Sequence, residues 1–412
     1  MAFLVISLII SSWLVNLGMS FQEPKEVAVN RLQRALSWGL TIFAGVTSVA
    51  HAQDIQVDAY GYAEGTSMVF VTEDDPWLYA HGRFRPTFEA AFGDRLVLSS
   101  SFSITARHHS SQDFFWMDCS PNQTCFMPSR FGHDNLLFEF ERLFVDYYGE
   151  QIDVRVGRQA LFWGSGLIWN PSNPFQQVLA FSPWENRSGI DALRVNWALP
   201  WELDSSWIAS LDEDGIPSKG VARLQKQFSD LDVALVGAMS GQEDKEAAYA
   251  GFDLKGNLGV TYWIEGAIHF HPELYTEVVI GADYSFDILD TWVLAAQYNY
   301  NDVKNLERME LRQKDPFSPL STDTHSLVIS SGLRFFEDWN MQNLLYASLD
   351  NQAGATMNTL SWAGADSFSA QVAWIQPFSF GEQDEASLPG GGTGLSTDTL
   401  SAFIMCWGRW SY

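Results

Sequence analysis

Arginine and carboxylate side chains are the residues of this chain best placed to do chemistry. Arg83, Arg85, Arg107, Arg155 and Arg194 fall, at a two-residue period, on the polar side of segments whose other side is apolar. Arg158 is counted with them. A guanidinium is a planar fork of donors that matches carboxylate and phosphate, so a row of arginines along one wall would favour an anionic solute. Acids share that polar side: Glu89, Asp153, Glu202, Asp204, Glu265, Glu277 and Asp283. The competing reading is a network that neutralises itself and only keeps the wall hydrated.

Catalytic constellations are weak by comparison. Gly164-Ser165-Gly166 is no nucleophile elbow, because that motif needs a variable residue on each side of the serine. His269 and His271 lie two apart at a strand end, but no third ligand is evident for a metal. Asp212-Glu213-Asp214-Gly215 reads as a solvated acidic turn without calcium-loop spacing, and His108-His109 flanks a long loop. No enzyme, metal site or cofactor is expected. Cys119 and Cys125 bracket CSPNQTC, a loop that one disulfide could close in an oxidising compartment, while Cys406 reads as an unpaired wall residue.

The elements that must carry these residues are strands. Hydrophobic residues make up 46% and charged ones only 18%, and the mean hydropathy is −0.08. Beyond residue 52 no apolar run is long enough to span a bilayer as a helix. Aromatics reach 14%, with 17 Trp and 29 Phe, a richness that suits the interfacial girdles of a transmembrane barrel. The net charge of −26 disfavours nucleic acid. It fits acidic surface loops or a cation-preferring pore.

Residues 30–53 read as a secretory signal: Arg31 and Arg34, an apolar Ala35–Val49 stretch, then Ala50-His51-Ala52 as the cleavage site, with Gln53 as the first mature residue. Residues 1–52 are thus a targeting region, with Met19 an alternative start, and residues 53–412 form one domain.

That domain alternates throughout. In residues 274–286 Leu274, Thr276, Val278, Ile280, Ala282, Tyr284 and Phe286 oppose Tyr275, Glu277, Gly281 and Asp283. Residues 258–270, 291–301 and 323–336 repeat the pattern. Short connections (Gly93-Asp94, Gly149-Glu150, Pro200-Trp201, Ser229-Asp230, Gly256-Asn257, Leu289-Asp290) alternate with long ones at 108–134, 163–189, 302–323 and 376–398. The spacing predicts a single all-β, antiparallel, up-and-down transmembrane barrel of about 18 strands. Sixteen is the alternative, since strands near 246–256 and 355–363 are weakly marked. The last segment, LSAFIMCWGRWSY, ends on an aromatic, as does the C-terminal signal read by barrel-assembly machinery.

Residues 152–197 contain IDVRVGRQALFWGSGLIWNPSNPF and RSGIDALRVNW. Gly157, Arg158, Gln159, Gly164, Arg187, Asp191, Ala192 and Arg194 there resemble the centre of the alginate-export family and its porin-like relatives. The resemblance implies a large porin-like barrel. The loop 163–188 after the GRQ strand has two readings, and in one it folds inward as a constriction, where Trp163, Trp169, Phe175 and Trp184 would form a slide for sugars. A cluster at the membrane interface is the other reading. Together these features predict a Gram-negative outer-membrane pore in contact with lipid and lipopolysaccharide, passing a hydrophilic solute. An exporter of alginate-like polysaccharide and a plugged scaffold are the alternatives.

Overall fold

Alternating apolar and polar residues resolve into strands wherever the chain is described. The computed structural model describes residues 55–72, 77–109, 130–133, 136–175, 189–212, 215–242, 245–271, 274–302, 323–365, 367–380 and 400–412. The targeting region, Cys119, Cys125, Trp184 and Arg187 lie outside these residues, as do the side chains of Arg107 and His271.

The strands are β1 (Ile55–Thr72), β2 (Trp77–Phe92), β3 (Leu96–His109), β4 (Arg130–His133), β5 (Leu136–Tyr148), β6 (Ile152–Gln159), β7 (Ile190–Leu199), β8 (Leu203–Leu211), β9 (Pro217–Phe228) and β10 (Leu231–Gln242). They continue as β11 (Lys245–Asn257), β12 (Thr261–His271), β13 (Tyr275–Phe286), β14 (Thr291–Asn301), β15 (His325–Phe335), β16 (Trp339–Ser348), β17 (Ala353–Ala365), β18 (Phe368–Ser379) and β19 (Leu400–Ser411). Apart from β4, each pairs antiparallel with the next strand in sequence, with β3 pairing directly with β5, and β1 pairs with β19, so the sheet closes on itself. Closure leaves no unpaired edge, which a sheet in hydrocarbon cannot tolerate. The result is an 18-strand antiparallel barrel. The nineteenth, β4, does not cross. It folds back against the end of β5, within what the sequence presents as the loop 108–134. The weakly marked segments are full strands, β11 and β17, so eighteen stands and sixteen does not.

All of the short connections read from the sequence lie at one end of the barrel, called here the turn end. Left-handed backbone concentrates there, at Gly93, Trp201, Glu202, Ser229, Leu289, Phe336 and Glu337. The long connections all leave from the opposite, loop end. No helix among the described residues is long and apolar enough to cross a membrane.

The outward positions form an apolar belt that includes Phe84, Ile104, Val156, Leu193, Leu235, Ile280, Leu294, Leu360 and Ile404, all well exposed. A wall of this extent is far beyond the patches soluble monomers show. At its turn end the rings touch in series: Tyr284–Phe286 (4.7 Å), Phe286–Trp292 (4.9 Å), Trp339–Trp362 (6.3 Å) and Trp362–Phe368 (6.2 Å). This is an aromatic girdle at an interface.

The interior departs from simple polar-in alternation. Met68, Val328, Leu344, Met357, Ala373, Ile375 and Met405 point inward as one apolar cluster, and Ala192, Ile208, Val221, Val236, Ala238, Ala247 and Ala267 belong to a second. Both exist because a segment of chain packs against them inside the barrel.

Candidate solute pathway and the loop that crosses it

That segment, residues 160–175, follows β6. Its root is rigid. Gly157 sits at φ +122°, a conformation L side chains rarely adopt, with its Cα side against the Leu143 and Phe144 backbone. Arg158 makes a two-pronged ion pair with Asp191, directly opposite in register on β7, at 3.0 and 2.6 Å, and the two side chains are 1% and 3% exposed. Gln159 donates to the Ala192 carbonyl (3.1 Å). Gly164, at φ +103°, lets the backbone close on Asn170. Beyond it Asn173 N–H donates to the Asn170 carbonyl (2.9 Å), closing a turn with Pro171 at its second position.

From this root the segment reaches the opposite wall. The Ser165 and Gly166 amides donate to Glu265 Oε1 (2.6 and 2.7 Å), and the Ser172 amide and hydroxyl donate to Glu265 Oε2 (3.3 and 2.6 Å). Ser165 Oγ also donates to Asp253 (3.1 Å), and the Leu167 amide to Gln297. Gln297 Oε1 further accepts from Trp263 Nε1 (3.1 Å), and its amide donates to Asn299. Trp169 packs on Tyr346 of β16 (5.2 Å) and Trp163 on Phe175 (5.9 Å), with the Arg223 guanidinium over Trp163 (5.5 Å). A loop between β6 and β7 that meets β9, β11, β12, β14 and β16 at once must pass through the lumen.

Arginines on the inner wall are paired with acids in register rows. Arg83, Glu64 and Arg409 face one another across β2, β1 and β19, with Glu64 at 3.3 Å from Arg83 and 2.9 Å from Arg409. Arg85 bonds Glu141, which a bulge in β5 leaves as the extra residue between Phe140 and Arg142. Arg155 holds Asp146 at 2.6 and 2.9 Å and stacks over Phe144. Arg194 stands opposite Arg155 and bonds only the amide of Asn196 (2.9 Å), with no carboxylate within ion-pair distance among the described residues. Below the crossing loop lies a cavity of about 300 Å³, lined by Asp153, Arg194, Asn196, Asp204, Arg223 and Trp163 among others.

No family model and no curated protein matches the sequence. Solved structures do. OccK5 of Pseudomonas aeruginosa aligns at TM-score 0.53 and 7% identity over 86% of this chain and 98% of its own. OccAB4 of Acinetobacter baumannii aligns at 0.53 and 10% over 88% and 99%. OccK2 of P. aeruginosa, solved in complex with glucuronate, aligns at 0.53 and 9% over 86% and 98%. The chain has the fold of the Occ/OprD outer-membrane porins. At these identities the likeness is one of fold.

Several sequence expectations need correction against this geometry. Glu202 is not on the inner wall: it sits in the 200–202 turn at φ +59°, exposed, because the chain reverses there. Arg158 is sealed in its ion pair and lines no open channel. Glu265 is fully buried beneath the loop. Glu277 faces His269 (3.1 Å), whose ring stacks on Tyr275 (4.1 Å), which accounts for that histidine without a metal. Trp163, Trp169 and Phe175 are buried, and a sugar slide needs exposed ring faces. Asp283 lies on the inner side of β13 near the turn end, half-buried. Arg107 lies in β3 opposite His81. Glu64, Glu141, Asp146, Asp253, Arg223 and Arg409 went unrecognised in the sequence. Counting register outward from the turns would have found some of them, since Asp146 and Arg155 are equidistant from the 149–152 turn.

The buried and open arginines are expected to differ in stability. Arg158→Ala removes both prongs of the ion pair from a buried Asp191, a change that costs roughly 3–5 kcal/mol. Arg194→Ala is expected to stay within about 0.5 kcal/mol of the parent. Urea titrations read by heat-modifiable gel mobility separate the two, and equal midpoints would contradict this assignment.

Proposed function

We propose that this chain is a pore of the Gram-negative outer membrane that passes small hydrophilic solutes, anionic ones among them, down their concentration gradients. The observation that carries the reading is a closed barrel with an apolar exterior and an inner wall of paired charges, narrowed by one hydrogen-bonded loop. Passage through such a path requires no cofactor. Selectivity comes from diameter and lining charge, for which Arg194 and Arg223 beside Asp153 and Asp204 are the residues to test. The glucuronate bound by OccK2 is the kind of solute the reading accommodates. Residues 1–52 would direct export and be removed after Ala52. β19 would be read by the barrel-assembly machinery, and the apolar belt would stand among lipid and lipopolysaccharide.

One observation favours a second reading. The apolar clusters on both sides of the crossing loop suit a plugged barrel serving as a surface scaffold. The likeness to the alginate-export family rests on the segment around Gly157 and Arg194, which builds the loop's root and supplies no solute.

Liposome swelling distinguishes the readings. Proteoliposomes carrying the folded protein are expected to swell in isotonic arabinose, and in glucuronate as well, but slowly in a trisaccharide. Swelling no faster than protein-free vesicles in all three solutes would favour the plugged scaffold.

A further inference from the structure

The outward wall of β16 and β17 carries a feature that lipid does not suit. Asn343 on β16 and Asn358 on β17 oppose each other in register near the middle of their strands. Alternation fixes their side. Leu344, Met357 and Thr359 beside them are buried inside the barrel, whereas Met341 and Leu360, two residues along, are exposed on the outside. Neither carboxamide is hydrogen-bonded to another described residue. Ser331, opposite Asn343, is already engaged by Trp292 Nε1 (2.9 Å), and Trp374 stands opposite Asn358. Further along the same register row the wall presents Leu294 and Tyr284 on one side and Ile404, Val69 and Leu78 on the other.

An unsatisfied polar group in hydrocarbon is strongly unfavourable, and two adjacent ones more so. Each carboxamide offers two donors and an acceptor, so the surface that satisfies this pair best is one presenting the same groups. A two-fold axis through the patch sets Asn343 of one copy against Asn358 of the other, twice over, with both satisfied. Met341, Leu345, Leu360, Val372 and Trp374 provide apolar packing around the pair, with Thr356 and Gln376 beside it on the same face. We propose that the wall formed by β15–β18 is where a second copy of this chain docks within the membrane, with Asn343 and Asn358 at the centre of an isologous interface. The inference rests on the reading that the barrel stands in a bilayer.

Native mass spectrometry of the full protein released from lipid nanodiscs tests it, with heat-modifiable mobility as the check on folding. The parent is expected to be dimeric. The Asn343→Leu/Asn358→Leu variant should fold as well, and its dissociation constant should rise roughly tenfold or more. A parent that is monomeric in lipid overturns the proposal, as does a double variant that dimerises equally well. A monomer retaining a lipopolysaccharide mass that the variant loses overturns it in favour of lipid. The pore is judged separately: a conducting monomer overturns the interface alone, and a dimer without conductance supports the interface and overturns the pore.

Discussion

Glu265→Ala is expected to raise single-channel conductance severalfold and to make the open level noisy, while leaving the barrel's resistance to urea nearly unchanged. Glu265 alone accepts four hydrogen bonds from the crossing loop, three of them from backbone amides. Each buried donor left without a partner costs about 1–3 kcal/mol. Water entering the lumen recovers part of that, but a net loss of about 3 kcal/mol shifts the seated–unseated equilibrium roughly 100-fold. The strand ladder does not depend on this contact, so the barrel survives. Glu265→Gln retains one acceptor oxygen and turns an amide toward the loop's donors, so it should fall between parent and alanine. Conductance equal to the parent's in Glu265→Ala would show that the loop does not set the width.

Glu64→Ala is expected to have the larger effect on stability. Glu64 lies between Arg83 and Arg409 in one register row and also accepts from Trp407 Nε1 (3.1 Å). This row crosses the seam where β19 meets β1 and closes the barrel. Without the carboxylate two guanidinium groups remain near each other on a largely buried wall, a change worth roughly 3–5 kcal/mol. The urea midpoint should fall clearly, and the reversal potential in a salt gradient should move toward anion preference, since one negative charge leaves the lumen. Glu64→Gln should show the same shift in selectivity with a smaller loss of stability. An unchanged midpoint would mean that the seam does not depend on this ion pair.

The barrel wall was legible because its signal is local. Residues 274–286 alternate so cleanly that the inward Glu277 and outward Ile280 follow from counting alone. β17 was harder, since AGATMNTLSWAGA is built of small residues that give little contrast between faces. The loop was legible as a long connection, with an inward course as one of two readings. Its anchor depends on Ser165 meeting Glu265 one hundred residues away, and neither neighbourhood carries a trace of the other. The arginine row illustrates the same limit. Period two placed Arg83 and Arg155 on the inner wall, but whether each charge was free depended on the acid facing it across the sheet, and that is a matter of register. The inward apolar residues, such as Val328 and Ile375, break the alternation for a reason the strands themselves do not contain: they seat the loop.

Single-channel recording of the folded, heat-modifiable protein in a planar bilayer tests the central claim most directly. A steady ohmic conductance that increases in Glu265→Ala is the result predicted for a water-filled path narrowed by the loop. No conductance from either protein would contradict it and leave a sealed barrel.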